Sequence, residues 1–227
     1  MTHKTSPASK QSGRSMIEML GVLAIVGILS VTAIKSISKA MHKHKMNRET
    51  ENIITTIQTI HLLGANEKNY LFVSVSKNQW NQSLPNTFNY NPWESNLFGG
   101  KYKYGSHHPF CDSNNDYCYP KAMKNKAFLF GITHVDPTFC MELLTINWTH
   151  FAGGLIGMSV SDNNEHMRAG VNAAWCQNLH KNNETTPLYE SEEYRICPED
   201  MPLNPQQAAE VCYYSDKAKY IVTWKYW

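Results

Sequence analysis

The sequence predicts an α+β protein: a long N-terminal helix followed by a strand-rich head. Three observations predict it. From Met16 a long apolar run leads into a stretch, Lys35 to Leu63, that no proline or glycine interrupts. Beyond Gly64 several segments have the aromatic and β-branched content of strands, among them Tyr70–Val75, Ala127–His134, Leu155–Ser161 and Tyr220–Trp227. All six cysteines, at 111, 118, 140, 176, 197 and 212, fall after the helical part. Their even number suits a disulfide-linked head in an oxidising compartment. No Cys-x-x-Cys pair occurs, which argues against a structural zinc site and against a thioredoxin-like motif.

Composition bounds the rest. At 227 residues the chain has room for one ordinary domain plus an appendage. A formal charge of +2 and 18% charged residues supply no strong field for nucleic acid or an acidic substrate. The 42% hydrophobic and 11% aromatic content supports a packed core.

The elements follow in order. Met1 to Ser12 is small and polar, with Lys4 and Lys10. From Met16 to Ile34 the chain is apolar except for Glu18, with Gly21, Gly27, Ser30 and Thr32 as its small or mildly polar members. A helix through the hydrocarbon core needs about 20 such residues. A carboxylate inside such a run costs about 2–3 kcal/mol on insertion scales, less near the interface, and usually marks function. The rival reading is a secreted or singly anchored disulfide-linked binding protein, exported by an ordinary secretory signal or held by a plain anchor. Val31-Thr32-Ala33 supplies small residues for cleavage after Ala33, which would leave Ile34 first. The apolar run is longer than a usual signal core, and it contains Glu18.

The helix is expected to continue to about Leu63. Ile34, Ile37 and Met41 recur at helical spacing, then Ile53, Ile57 and Ile60, with Gly64 and Asn66 as a stop signal. At 1.5 Å per residue such a rod is roughly 70 Å long. One apolar stripe in its second half suits packing against a sheet. Lys35, Lys39, Lys43, Lys45 and Arg48 after the span outnumber Lys4, Lys10 and Arg14 before it, which by charge alone favours a cytoplasmic C-terminal part. The cysteines point the other way, toward an exported head.

Within the head, Asn78 to Pro92 reads as a loop and Gly100 to Gly105 as a short strand. Cys111 to Cys118 reads as a tight loop closed by a disulfide; Asp112, Asn114 and Asp116 match only the start of a calcium loop. Asp136-Pro137 opens a short helix carrying Cys140, with Asp as N-cap and Pro in the first turn. Ala169–Leu179 reads as a helix carrying Cys176, and Asn182 to Pro205 as a long surface loop pinned by Cys197.

Gly13-Arg14-Ser15-Met16-Ile17-Glu18, a glycine and then a glutamate five residues on opening a long apolar helix, resembles the processing region of type IV prepilins. Asn91-Pro92-Trp93-Glu94 is similar to the Asn-Pro-Trp-Gly turn of many pilins, with Glu94 in place of the glycine. The strand, short helix and cysteine at 127–140 resemble the larger-headed, type IVb pilins. Two positions depart from the pattern. Arg14 stands where the family usually has phenylalanine, and Lys35 where many members have a helix-bending proline.

The resemblance implies a leader at 1–13, a membrane and filament-core helix at 14–34, its amphipathic continuation at 35–64, and a globular head at 65–227. In that head the helix packs on an antiparallel sheet whose C-terminal region is closed by disulfides. The resemblance also implies cleavage by a prepilin peptidase between Gly13 and Arg14, methylation of the Arg14 amine, and a Glu18 carboxylate that pairs with a neighbour's amino terminus. The implied partners are further copies of the chain in a helical filament, other pilins, the membrane and an inner-membrane assembly platform. The precursor would keep its leader cytoplasmic and its head periplasmic before export to the surface. Major pilin, minor pilin and secretion pseudopilin all remain open.

Six cysteines allow fifteen connectivities. The family pairs a cysteine before the closing strand with one on an upstream helix, which implies Cys140–Cys212, and with it Cys111–Cys118 and Cys176–Cys197. Other constellations are weak. His42-Lys-His44 and His107-His108 read as solvated surface, and Gly157-Met-Ser159-Val-Ser161 reads as a strand because Ser161 replaces the last glycine of a nucleophile elbow. The sequons at Asn81, Asn147 and Asn183 are expected by chance in an Asn-rich chain. No phosphate loop, triad or paired carboxylates appear, so neither an enzyme, a cofactor nor a metal is expected.

Overall fold

The structure is a computed structural model that describes residues 16–68, 70, 95–107, 126–162, 173–190, 193–215 and 219–227. It divides into two units, the chain up to Lys45 and a head from Met46 to Trp227. Helix α1 runs Met16–Glu67 and contributes to both. Several sequence expectations lie outside the described residues: the 71–75 part of the first strand, the loop at 78–92, the Asn91–Glu94 turn and the Cys111–Cys118 loop. Gly13 and Arg14 lie outside them too.

Within the head, α1 buries the stripe Met46, Ile53, Ile57 and Ile60, each at most 5% exposed. The helix does not stop at Gly64. A glycine inside a helix costs about 1 kcal/mol relative to alanine, and here a close approach offsets that cost. A Cβ on Gly64 would lie 1.9 Å from the Tyr70 ring. Without it, Tyr70 packs over the helix end, sets its ring 4.8 Å from that of Phe128, and donates its hydroxyl to the Trp227 carbonyl at 2.5 Å. Lys68, at φ 57°, takes the left-handed conformation that follows the helix end.

The sheet among the described residues has six strands: β1 (Tyr102–His107), β2 (Ala127–Val135), β3 (Leu155–Ser161), β4 (Leu188–Glu190), β5 (Glu193–Ile196) and β6 (Tyr220–Tyr226). They lie in the order β1-β2-β6-β3-β5-β4, and every pairing is antiparallel. The last strand in sequence is therefore central, between β2 and β3. Its side chains alternate. Tyr220, Val222, Trp224 and Tyr226 join the core with Phe128, Phe130, Ile132 and the α1 isoleucines. Ile221, Thr223 and Lys225 take the opposite face and are buried as well.

Residues 182–205 are not one long loop, because β4, β5 and a 3-10 turn at Pro198–Asp200 lie within them. The polar composition hid β5, whose charges neutralise each other inside the protein. Arg195 Nε donates to Glu193 at 2.9 Å, and the guanidinium lies 5.5 Å over the Trp175 ring.

Three further helices belong to the described part of the head. Helix α2 (Pro137–Leu144) has Asp136 as N-cap, accepting from the amides of Thr138 and Phe139. Helix α3 spans Ala173–Lys181 and runs two residues beyond the expected end at Leu179; the expected start, 169–172, lies outside the described residues. Helix α4 (Pro205–Cys212) has a start signal in Asn204-Pro205-Gln206-Gln207 and lies beyond the elements expected from the sequence. Asn204 Oδ1 accepts from Gln206 and Gln207 amides, while Gln207 Oε1 accepts from the Asn204 amide. Two disulfides tie these parts. Cys140–Cys212 links α2 to α4, which pack together, and Cys176–Cys197 links α3 to the end of β5. The long helix, antiparallel sheet and disulfide-closed C-terminal region together make the α+β layout the sequence predicts.

Candidate functional site

Two acidic positions on α1 have opposite surroundings. Glu18 lies in the first helical turn and is exposed. A carboxylate there favourably meets the partial positive charge of a helix N-terminus. Around it the helix is apolar on all sides. Twelve large apolar side chains from Met16 to Ile34 stand exposed, between 84% for Met16 and 51% for Val26. The most apolar window of α1 has a mean hydropathy of 2.3, and none of it is buried. By length and composition, this helix can cross a membrane. Ser30 returns its hydroxyl to the Val26 carbonyl at 2.7 Å, so that polar atom is satisfied within the helix.

Covering such a surface releases substantial free energy. At about 1.5–3 kcal/mol per large side chain, the group supplies on the order of 20 kcal/mol, whether the cover is lipid or other helices. An apolar cover has no oxygen or nitrogen to offer Glu18. That carboxylate would need either an interfacial position or a cation brought to it.

The second acid is Glu49, which lies outside the candidates the sequence offers. It is fully buried, and it accepts from the Leu97 amide at 3.1 Å and from the Tyr102 hydroxyl. Burial pushes its carboxyl above the ordinary value of 4.5, while the Tyr102 and Leu97 hydrogen bonds pull the other way. The signal was present in the spacing. Glu49 falls on the same stripe as Met46, Ile53, Ile57 and Ile60, where a charge must find a partner. Glu49 thereby fastens α1 to the turn at 95–101. In that turn Asn96 accepts from the Phe98 and Gly100 amides and donates to the Thr133 carbonyl at 2.7 Å.

The remaining candidates do not converge. His42 and His44 are two residues apart on α1 and so point to different sides of the helix. Ser159 and Ser161 are buried in β3 beside Thr223 and Ile221. His180, Cys197 and Asp200 bring ligand-type atoms within 4.8 Å of one another. The Cys197 sulfur, however, is bonded to Cys176, and Asp200 accepts from the Thr186 amide and hydroxyl. That trio therefore reads as a clasp around the disulfide. Asn147 caps the 3-10 turn at Trp148–His150, accepting from the Thr149 amide and hydroxyl. No protein-family model matches the chain, and no curated protein matches it either.

Proposed function

We propose that the chain is a structural subunit of a type IV pilus or a related filament, made as a membrane-bound precursor and polymerised through its N-terminal helix. One observation carries this reading. A helix that is apolar all round from Met16 to Ile34 bears a single carboxylate, Glu18, five residues after Gly13, and continues into a disulfide-linked head.

Cleavage between Gly13 and Arg14 by a prepilin peptidase would free an α-amine four residues before Glu18. In the bilayer, lipid covers the apolar helix. In a filament, helices of neighbouring copies cover it, and the amine of one copy neutralises Glu18 of the next. Apolar burial then supplies most of the affinity. The charge pair sets the register, because a misaligned copy leaves a carboxylate buried without a partner. The precursor sits in the inner membrane, leader inside and head in the periplasm, and the disulfides suit that side.

N-terminal sequencing and mass analysis of the mature chain test the reading. An N-methylated Arg14 is the expected result; a start at Ile34, as in ordinary secretion, or an intact Met1, as in a plain anchor, overturns it. Glu18→Ala is expected to abolish surface filaments while leaving the processed chain in the membrane. Filaments at normal levels would remove the charge-pairing mechanism.

A further inference from the structure

Helix α3 and the turn after β5 each carry a pair of ligand-type side chains, and the fold sets the two pairs against each other. Cys176 and His180 lie four residues apart on α3, hence on one side of that helix. Cys197 and Asp200 lie three residues apart across the 3-10 turn at Pro198–Asp200, where side chains at that spacing eclipse. The patterns are Cys-x-x-x-His and Cys-x-x-Asp, outside the Cys-x-x-Cys form. In the folded head His180, Cys197 and Asp200 bring one ligand atom each within 4.8 Å of the others, and Cys176 joins them through its bond to Cys197. His180 Nε2 stands 3.8 Å from Asp200 Oδ2 and 3.5 Å from Glu199 Oε2, shut off from solvent and without a hydrogen bond.

While the disulfide is closed, its sulfurs have no charge to offer a metal. Every chain is synthesised with thiols, however, and in that form both cysteines occupy buried positions. Thiolates there need a cation. With Cα atoms 5.7 Å apart, the two free sulfurs can part to roughly 3.8 Å, the edge of a tetrahedral centre with Zn–S bonds of about 2.3 Å. A nitrogen and an oxygen on the same centre lie roughly 3.4 Å apart, so His180 and Asp200 need close by less than about 1 Å. Thr186 already braces the carboxylate. Its amide donates to Asp200 Oδ2 at 2.9 Å and its hydroxyl donates to the same oxygen, the kind of outer hydrogen bond that orients a metal ligand. The half-buried His180 and the exposed Glu199 leave a way in from solvent.

We propose that, with the Cys176–Cys197 bond open, Cys176, His180, Cys197 and Asp200 hold one zinc ion, which fastens α3 to the turn until the disulfide replaces it. Binding forms two Zn–S bonds and releases the two thiol protons. Oxidation reverses it: a disulfide oxidant takes two electrons from the thiolates and two protons from water and becomes two thiols, while the Cys176–Cys197 bond forms and the zinc leaves. The site concerns the head alone and stands apart from the filament reading. Zinc chloride and, separately, cobalt(II) chloride are titrated without oxygen into the full chain in detergent, before and after complete reduction by a phosphine. Reduced wild type is expected to bind one equivalent that the reduced double variant Cys176→Ser, Cys197→Ser lacks, and the oxidised chain to bind none. Cobalt in that equivalent should show thiolate charge transfer and the intense visible bands of tetrahedral geometry. His180→Ala should weaken binding on the order of 100-fold, and His180→Cys, which still offers a ligand, should restore most of it. Binding by the oxidised chain or equally by the double serine variant, octahedral cobalt, or an affinity that His180→Ala leaves unchanged overturns the proposal. Where His180→Ala does not fold, His180→Cys decides: a third thiolate must raise the charge-transfer intensity, and an unchanged spectrum overturns the proposal.

Discussion

Removing the Glu49 carboxylate should uncouple α1 from the edge of the sheet. Glu49→Ala takes the acceptor away from two donors, the buried Tyr102 hydroxyl and the half-buried Leu97 amide. At about 1–3 kcal/mol for each donor, the loss is about 2–6 kcal/mol. For a head of this size one kcal/mol moves Tm by about 2–4 °C, so Tm should fall by roughly 4–24 °C. Differential scanning calorimetry of the full chain in detergent reads this directly. The isosteric Glu49→Gln adds the pH arm. Burial raises the folded-state pKa of Glu49 above 4.5, so the folded protein holds that proton more tightly than the unfolded chain does. By linkage the stabilisation is fully present below about 4.5 and is lost as pH rises through the folded value. The stability of wild type minus that of the Gln variant should therefore grow as pH falls from about 7 toward about 4, while the shared carboxylates cancel. A Glu49→Ala protein melting within about 2 °C of wild type, or a difference that shrinks toward acid, would refute the reasoning.

Other expectations concern the head. Replacing Cys140 and Cys212 by alanine releases a loop of 72 residues and should cost about 4 kcal/mol by chain entropy, against about 3 kcal/mol for the 21-residue Cys176–Cys197 loop; urea unfolding of the two variants ranks them. Gly64→Ala should destabilise the head by about 1–3 kcal/mol despite the better helix former, because its Cβ meets the Tyr70 ring at 1.9 Å; a stabilised variant in the same melt would sink the close-approach argument. Arg195→Ala withdraws the guanidinium facing the buried Glu193 and should cost about 3–5 kcal/mol, most of it recovered in the double variant with Glu193→Ala, as a double-mutant cycle of melts would show. Burial pushes the Tyr70 phenol up to about 12, so difference absorbance against Tyr70→Phe should show no ionisation of Tyr70 near the ordinary value of 10.0 while the protein stays folded.

Legibility followed how local each signal was. The span, Glu18 and the stripe Ile53, Ile57, Ile60 could be read because helical periodicity is set by neighbours three and four residues away. Asp136-Pro137 could be read because a cap needs only its own first turn. Strand β3 matched its expected bounds, Leu155–Ser161. Strand β5 escaped because Glu193 and Arg195 look like loop residues until β3 pairs with them and Trp175 covers the guanidinium. Glu49 lies on the apolar stripe of α1, but nothing beside it in sequence shows what it bonds. Its meaning depends on Tyr102 and Leu97, which are distant in sequence.

By itself the sequence determined that this chain has an apolar helix able to cross a membrane, where its one acid sits, and that a cysteine-bearing head follows. These are properties of consecutive residues, set by hydropathy and the helical repeat. Only the tertiary structure decided that the last strand lies at the middle of the sheet, that Glu193 and Arg195 pair inside it, and that the helix passes Gly64 under the Tyr70 ring. Each depends on which distant surfaces exclude water from one another, and that is settled by the packing of the whole head.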